Sequence, residues 1–354
     1  MEDNLDSQSH GLRLLALDGG GIRGLSELVI LQEIMHRIKH AENLDSTPRP
    51  CEYFDLIGGT STGGLIAIML GRLGMSVEEA IGAYARFAKG VFTKKKWRTQ
   101  DGTFKATALE RSIKEIVKSR LGDPEERMRS PHQVGTSCKA FVCAVSALHI
   151  GKPTLFRSYD VRENQSYNCK IWEAARATSA APTFFKRIYI GDEGLKEEFV
   201  DAGLGCNNPV AQVFREAKLV FGEEHRLACI VSIGTGHART IGLQKPDAFQ
   251  RMLPLGLINV LQGIATDCEK VAEEFEEQFK AEPDVFFRFN VQQGLQEVSL
   301  AEWEKLAEVA THTKQYVAQT VVGRNINKVT DILRKSPRLL VMSEDLVNDG
   351  SDLR

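Results

Sequence analysis

The sequence predicts an α/β fold with a mainly parallel central sheet that helices cover on both faces. Short apolar runs predict buried strands at Leu12–Leu17, 53–57 and 228–233. The first two runs are followed by glycine-rich turns and then by apolar residues at helical spacing, at 24–40 and 65–73. This alternation of strand and helix is typical of parallel strands joined by crossover helices.

The rest of the chain continues the alternation. Helices are predicted at 76–89, where Ser76 and Glu79 form a capping signal, and at 106–120, 171–177 and 209–219. Strands are predicted at 139–147, 154–159 and 285–291. We expect a disordered N-terminus at 1–10, a core at 11–235, a mainly helical part of the same domain at 236–335, and a polar tail at 336–354.

Composition excludes several classes of protein. The 354 residues carry 45 Lys and Arg against 47 Asp and Glu, a net charge of −2, which argues against nucleic acid as a partner. Hydrophobic residues make up 42% of the chain, too many for a disordered protein. The seven cysteines show no C-x-x-C spacing, so we expect buried, reduced thiols rather than a zinc site.

The location of the protein is predicted from two features. The N-terminal segment MEDNLDSQSH is polar and acidic and lacks the pattern of a signal peptide. No run approaches the roughly 20 apolar residues that a membrane helix requires. We therefore expect a cytoplasmic protein whose contact with membranes is peripheral, and the sequence leaves its oligomeric state open.

A glycine loop follows the first predicted strand. The segment DGGGIRG at 18–24 contains G-x-G-x-x-G as Gly19, Gly21 and Gly24. Consecutive glycines allow successive backbone N–H groups to face one point, to which the next helix presents its positive end. The loop therefore suits an anion, either a bound pyrophosphate or a charge that develops during a reaction.

A nucleotide-binding domain that uses this loop is one alternative. A dinucleotide site requires an acidic residue at the end of the second strand, whereas Glu42 and Asp45 fall in a polar, proline-containing loop. The loop also lacks the G-K-[ST] ending of a P-loop. A simple tight turn that packs a helix onto the sheet is the other alternative.

A candidate nucleophile follows the second predicted strand. Gly59, Thr60, Ser61, Thr62 and Gly63 match G-x-S-x-G between a strand and an apolar helix, which is the context of a nucleophile elbow. Flanking glycines remove Cβ atoms that would clash at so sharp a turn. The N–H of Thr62 and the helix end face an incoming oxyanion in such an elbow.

Two residues are candidates for the base that such a serine needs. His237 follows the predicted strand at 228–233 and would complete a Ser-His-Asp esterase. Asp201 follows a short apolar segment, and a carboxylate can take the serine proton directly when burial raises its pKa. A loop histidine and a turn aspartate are the corresponding structural interpretations.

Three motifs in this order resemble those of the patatin-like phospholipase family. They are DGGGIRG, GTSTGG, and the DAG formed by Asp201, Ala202 and Gly203 and followed by NNP. The segment ATSAAPTFF at 177–185 also matches the family, and DAG stands where plant members often have DGG. The resemblance covers roughly residues 11–235 and continues more loosely through VFFRFN and the helix that contains Trp303.

The resemblance implies a three-layer α/β/α fold and a Ser–Asp dyad, with no catalytic histidine, calcium, other metal or cofactor. It assigns Ser61 as nucleophile and Asp201 as general base. It also implies an oxyanion hole formed by Gly19, Gly20, Gly21 and Arg23. The implied reaction is two-step hydrolysis of acyl esters, with glycerolipids or phospholipids as substrates.

Two segments are candidates for contact with lipid. The basic loop KKKWR at 94–98 suits an anionic lipid surface, and a solvated basic loop is its alternative. The apolar stretch at 253–264 is either a mobile lid or a buried core helix. With either interpretation, the expected partners are a lipid substrate and a membrane or lipid aggregate.

Overall fold

An eight-stranded sheet forms the centre of the computed structural model, which describes residues 11–93, 103–130, 138–163, 166–203, 205–236 and 268–335. Its strands are β1 (Leu12–Leu17), β2 (Leu56–Thr60), β3 (Lys139–Ser146), β4 (His149–Arg157), β5 (Ile188–Ile190), β6 (Glu197–Asp201), β7 (Leu227–Ile233) and β8 (Phe286–Phe289). Their order is β5-β6-β3-β2-β1-β7-β8, and β4 pairs with β3 outside that path.

Helices cover the sheet. They are α1 (Leu25–Glu42), α2 (Thr62–Ala67), α3 (Val77–Phe92), α4 (Ala106–Leu121), α5 (Ile171–Thr178), α6 (Val210–Phe221), α7 (described over 268–278), α8 (Leu306–Val317) and α9 (Thr320–Arg334). A 3-10 turn at Gly21–Gly24 leads into α1, and α2 continues as a π-helical turn at Ile68–Arg72. The predicted helices are confirmed to within a few residues. Within the described ranges, no helix is both long and apolar enough to cross a membrane.

Side chains of β1 alternate between two hydrophobic cores. Leu15 and Leu17 pack on the side of α1, in a cluster that also holds α3, α8 and α9. Leu14 and Ala16 face the other side, where they join Val213 of α6 and aromatic residues of α7. Helices therefore cover both faces of the sheet, and the predicted α/β/α arrangement is confirmed. The seven cysteines are buried and form no disulfide, as predicted.

The sheet is mainly parallel, as predicted, with antiparallel strands at one side. β2 and β7 pair parallel to β1, β3 pairs parallel to β2, and β8 pairs parallel to β7. β4 and β6 pair antiparallel to β3, and β5 pairs antiparallel to β6. Of these antiparallel strands, β5 and β6 were not predicted, since three and five residues are too few to form a recognisable apolar run.

The second strand was predicted at 53–57 and lies three residues later. Tyr53 ends a 3-10 turn, and the side chain of Asp55 accepts a hydrogen bond from the backbone N–H of Arg13 at 2.7 Å. The strand instead includes Gly58, where an added Cβ would lie 2.4 Å from the ring of Phe141. The glycines predicted as a turn are thus strand residues that allow close packing.

Two strands from opposite directions share one edge of β3. β4 occupies the other edge of β3, so β2 and the antiparallel β6 lie on the same side, one after the other. Thr60 at the end of β2 is opposite Cys143, and Asp201 at the end of β6 is opposite Ala144. This register brings Ser61 and Asp201 to adjacent positions along the same edge of β3.

A buried ion pair fixes α6, the helix that follows Asp201. Arg157 of β4 donates to both carboxylate oxygens of Glu216 at 2.6 and 2.7 Å, and the hydroxyl of Tyr159 donates to Glu216 at 2.8 Å. The side chains of Arg157 and Glu216 are 5% and 4% exposed. The pair therefore ties α6 to the sheet and limits the movement of the segment between β6 and α6.

Glu216→Gln should lower the free energy of unfolding by about 3 kcal/mol, because it removes the carboxylate that accepts two hydrogen bonds from the buried Arg157 guanidinium. Urea unfolding measures this loss. Glu277→Gln is the matched control, since Glu277 pairs with Lys280 on the exposed surface and should change stability by less than about 0.5 kcal/mol. Equal losses in the two variants would contradict a structural role for the buried pair.

Candidate active site

Ser61 occupies a strained backbone turn between β2 and α2. Its φ of 54° and ψ of −120° lie outside the regions that side-chain-bearing residues usually adopt. A Cβ at Gly59 would lie 2.1 Å from the carbonyl oxygen of Gly63, so the turn closes only without one. The N–H of Ser61 donates to Thr178 Oγ1 at 2.8 Å, and this hydroxyl donates to the Cys143 carbonyl at 2.7 Å. The turn is thereby held to β3 and α5.

Asp201 lies directly beside this serine. Ser61 Oγ donates a hydrogen bond to Asp201 Oδ2 at 2.6 Å, and the N–H of Gly203 donates to Asp201 Oδ1 at 2.8 Å. Asp201 is 3% exposed, whereas Ser61 is partly open to solvent. The hydroxyl is therefore accessible, and the carboxylate that accepts its hydrogen bond is not.

Burial controls the protonation of Asp201. Desolvation raises the pKa of its carboxyl group from 3.8 to about 7, although the hydrogen bonds from Ser61 and Gly203 favour the ionised form. No Lys or Arg side chain acts on this pKa in the described part of the chain. A carboxylate with a pKa near neutrality is a far better proton acceptor than an exposed aspartate.

The glycine loop lies against the same turn. A Cβ at Gly19 would lie 3.0 Å from the Cβ of Ser61, and the N–H of Gly63 donates to the carbonyl of Asp18 at 3.2 Å. Two side chains hold Gly19 through its carbonyl oxygen: Asn207 Nδ2 donates at 3.1 Å and Thr235 Oγ1 at 3.0 Å. The loop and the serine are thus neighbours, as their positions at adjacent strand ends predicted.

The backbone N–H groups of the glycine loop differ in whether a backbone carbonyl accepts their hydrogen bond. The N–H of Gly19 donates to the carbonyl of Asn207 at 3.1 Å. For Gly20 and Gly21, the described residues provide no backbone acceptor. Gly21 has a φ of 56°, and a Cβ there would lie 2.2 Å from the carbonyl oxygen of Leu300, so glycine is required. These two N–H groups are therefore the candidates for binding an anion.

The remaining predicted site residues surround this centre. Thr60 Oγ1 donates to the carbonyl of Cys206 at 2.7 Å, and Ala202 is fully buried behind Asp201. Thr62 begins α2. Burial lowers the pKa of Arg23 to about 10, which leaves its guanidinium charged at neutral pH. His237, the basic loop at 94–98 and the lid candidate at 253–264 lie outside the described residues.

Comparison with known proteins identifies the family of this chain. The family model for patatin-like phospholipases matches residues 15–214. The chain belongs to this family. Calcium-independent phospholipase A2-gamma of Mus musculus is 29% identical over 365 residues, which cover 98% of this chain and 43% of that protein. The cGAMP-activated phospholipase of Escherichia coli (strain TW11681) is 32% identical over 238 residues, which cover 63% of this chain and 62% of that protein.

Patatin-like protein 4 of Arabidopsis thaliana is a third relative, 27% identical over 245 residues that cover 64% of this chain and 60% of that protein. This patatin-like chain spans less than half the length of the mouse relative and about three-fifths of the other two. The family match includes the glycine loop and Ser61 and Asp201, but it ends before β7, β8 and the helices that follow them.

Arg288 of β8 lies in this later part and binds Asp18, the first residue of the glycine loop. Its Nη2 donates to Asp18 Oδ2 at 2.7 Å and to Glu269 Oε1 at 2.9 Å, and its Nη1 donates to Ser232 Oγ at 2.9 Å. Burial raises the pKa of Asp18, and the Arg288 charge opposes that effect. Sequence analysis missed this residue, although a single arginine within the apolar run VFFRFN is a signal for a buried partner.

Glu27 is a second buried acid near the loop that sequence analysis missed. Its carboxylate oxygens have no hydrogen-bond partner in the described structure, and burial, with the nearby Asp18, raises its pKa well above the ordinary value. Burial and the nearby Asp18 thus favour the neutral form of Glu27. Within the described ranges, no three His, Cys, Asp or Glu side chains are arranged to hold a metal ion.

Asp201→Asn should make the protein more stable above about pH 7. Because burial raises the pKa of Asp201 from 3.8 to about 7, the folded chain holds a proton that the unfolded chain releases. At about 1.4 kcal/mol for each pKa unit, wild-type stability should decrease by about 4 kcal/mol relative to the variant as the pH rises from about 4 to 7.

Urea unfolding of both proteins across this pH range measures the difference, and comparing the two proteins separates Asp201 from every other titrating group. A stability difference that stays constant with pH would contradict the raised pKa. The measurement requires no substrate, so it tests the electrostatics of Asp201 independently of any activity.

Proposed function

We propose that this protein is a serine acyl hydrolase that cleaves acyl esters of glycerolipids, with Ser61 as nucleophile and Asp201 as general base. The observation that carries the proposal is the hydrogen bond of 2.6 Å from Ser61 Oγ to a buried carboxylate oxygen of Asp201. An enzyme of this kind needs a nucleophile within hydrogen-bond reach of its base. That contact leaves no need for His237 as the base.

The first step forms an acyl-enzyme. Ser61 Oγ attacks the ester carbonyl carbon while Asp201 takes the hydroxyl proton, which gives a tetrahedral intermediate with a negative oxygen. The intermediate collapses by breaking the bond to the leaving alcohol, and that alcohol receives the proton from Asp201. In the second step, Asp201 takes a proton from water, the water oxygen attacks the acyl-enzyme, and Ser61 regains its proton as the fatty acid leaves.

The glycine loop is the proposed oxyanion hole. Of its predicted members, Gly20 and Gly21 are the favoured donors, because the N–H of Gly19 already donates to Asn207. Gly19 instead sets the distance between the loop and Ser61, since any side chain there would contact the serine. Arg23 adds a half-buried positive charge in the 3-10 turn that leads into α1. Loss of one oxyanion-hole donor typically lowers the rate about 100- to 1,000-fold.

The lipid substrate is proposed from the family and from the names of the relatives. The proteins from Mus musculus and Escherichia coli are both named phospholipases. Their shared activity is hydrolysis of an ester within a phospholipid, which the Ser61–Asp201 chemistry can perform without a metal ion. We propose the same substrate class for this protein, with peripheral contact at the lipid surface.

Ser61→Ala and Asp201→Asn should each remove labelling by a fluorophosphonate probe and lower ester hydrolysis by about 10,000-fold or more. The first variant lacks the nucleophile and the second lacks the base that activates it. Labelling followed by gel fluorescence, with hydrolysis of a soluble short-chain ester, provides the measurement.

Ser119→Ala is the matched control for the labelling experiment. Ser119 is an exposed serine of α4 whose hydroxyl donates to the carbonyl of Ile116, so its loss should leave labelling at the wild-type level. Labelling that survives in Asp201→Asn at the wild-type rate would exclude Asp201 as the base. The thermal unfolding of each variant confirms that it is folded.

Hydrolysis of the soluble ester by the wild-type protein should rise with pH through about 7 and then level off. Only the deprotonated carboxylate can accept the Ser61 proton, and the pKa of Asp201 is raised to about 7 by burial. The pH profile of kcat/KM measures this titration in the free enzyme. A profile that is flat between about pH 5 and 9 would contradict the proposed base.

A further inference from the structure

Exposed apolar side chains concentrate at two neighbouring hairpins. Six large hydrophobic residues are exposed in the described structure, and four of them lie here: Leu148 (90% exposed), Leu195 (78%), Tyr189 (55%) and Tyr167 (37%). We call these four residues the hairpin patch. Single exposed hydrophobic residues are ordinary, but a cluster of them marks a surface that contacts something apolar.

The two turns that carry the leucines of the patch lie side by side. Leu148 is in the turn between β3 and β4, and Leu195 is in the turn between β5 and β6. The two turns are joined where the N–H of Ala147 donates to the carbonyl of Glu198 at 2.8 Å. The ring of Tyr167 lies beside the second turn, because a Cβ at Gly191 would be 3.3 Å from it.

Both turns extend beyond the edge of the sheet at which Ser61 lies. β3 continues for three residues after Cys143, the residue opposite Thr60, so its turn begins about 10 Å above Ser61. β6 runs back from the second turn to Asp201 over the five residues Glu197–Asp201, a length of about 13 Å between its ends. A flat lipid surface that touched both turns would therefore face the end of the sheet that carries the dyad.

The charged residues around the hairpin patch are of both signs. Arg187 and Glu198, next to Tyr189, form an ion pair at 3.2 Å. Exposed Lys186 and Lys196 are balanced by exposed Asp192 and Glu193. Because charges of both signs surround the patch, its attraction to a surface must come mainly from its apolar side chains.

We propose that the hairpin patch is the surface by which this protein docks on a lipid bilayer. Leu148 and Leu195 enter the acyl region, while Tyr189 and Tyr167 lie at the level of the headgroups, where amphipathic aromatic rings are favoured. The proposal rests on the proposed function, since it explains how a water-exposed Ser61 gains access to lipid packed in a bilayer. Docking should be nearly independent of salt, because burial of apolar surface drives it.

Binding is tested without hydrolysis, in the Ser61→Ala protein with phosphatidylcholine vesicles. Leu148→Asp combined with Leu195→Asp should weaken co-sedimentation with the vesicles by at least about 10-fold, since both inserted side chains are lost. Val321→Asp is the matched control. Val321 is 68% exposed on α9. It lies two residues before Gly323, whose carbonyl oxygen accepts a hydrogen bond from Arg37 in the C-terminal half of α1, away from the glycine loop.

Vesicle binding by the double variant that equals binding by Val321→Asp would overturn the proposal, as would release of the unsubstituted protein by high salt. The milder pair Leu148→Ser and Leu195→Ser should show a smaller loss in the same direction, which protects the test against misfolding. If the double variant instead changes a dimer into a monomer and binds vesicles normally, the patch is a contact between copies, and bilayer docking is wrong.

A second measurement separates this proposal from the proposed function. In the protein with Ser61 intact, the ratio of vesicle phospholipid hydrolysis to soluble ester hydrolysis should fall about 10-fold in the double Asp variant and stay constant in Val321→Asp. Failure of the unsubstituted protein to hydrolyse either substrate contradicts the proposed function alone, because vesicle binding by the Ser61→Ala protein is measured independently.

Discussion

The shared edge of β3 is the constraint on which the candidate site depends. β2 reaches this edge from one end of the sheet and β6 from the other, and their last residues, Thr60 and Asp201, face adjacent positions of β3. The serine that follows Thr60 must turn sharply to avoid the incoming strand, and it does so with a φ of 54°. Glycines around the turn and the hydrogen bonds through Thr178 stabilise this conformation. The distance of 2.6 Å between Ser61 Oγ and Asp201 Oδ2 is thus a consequence of strand register rather than of flexible side chains.

Two buried aspartates at strand ends differ in whether a cation lies beside them. Asp18, after β1, lies 2.7 Å from the guanidinium of Arg288, whose charge opposes the rise in pKa that burial causes. Asp201, at the end of β6, is equally buried but accepts only neutral donors, so its pKa rises to about 7. The same residue type therefore forms a buried ion pair in one place and lacks a counter-charge in the other. Burial of Asp201 without a counter-charge reduces stability at neutral pH and raises the basicity of its carboxylate.

Much of the fold and of the candidate site could be predicted from the sequence because the relevant signals are local. The glycine loop, the G-x-S-x-G turn and the apolar runs around them indicated which residues lie at strand ends. The pairing of β6 could not be predicted, since an antiparallel strand of five residues leaves little periodicity. Asp201 was therefore one of two candidate bases for Ser61, and only the family resemblance favoured it over His237. Arg288 was missed for a similar reason: its partner Asp18 is 270 residues away, and no local pattern connects them.

The separation of Asp18 and Arg288 also determines when the site can be completed during synthesis. The ribosome synthesises the segments that contain the glycine loop, Ser61 and Asp201 well before it synthesises β8. Until β8 pairs with β7, the carboxylate of Asp18, at the start of the glycine loop, lacks its ion pair with Arg288. The nascent chain therefore contains Ser61 and Asp201 before the ion pair between Asp18 and Arg288 can form. The glycine loop gains this support only when the strand at the far edge of the sheet has been added.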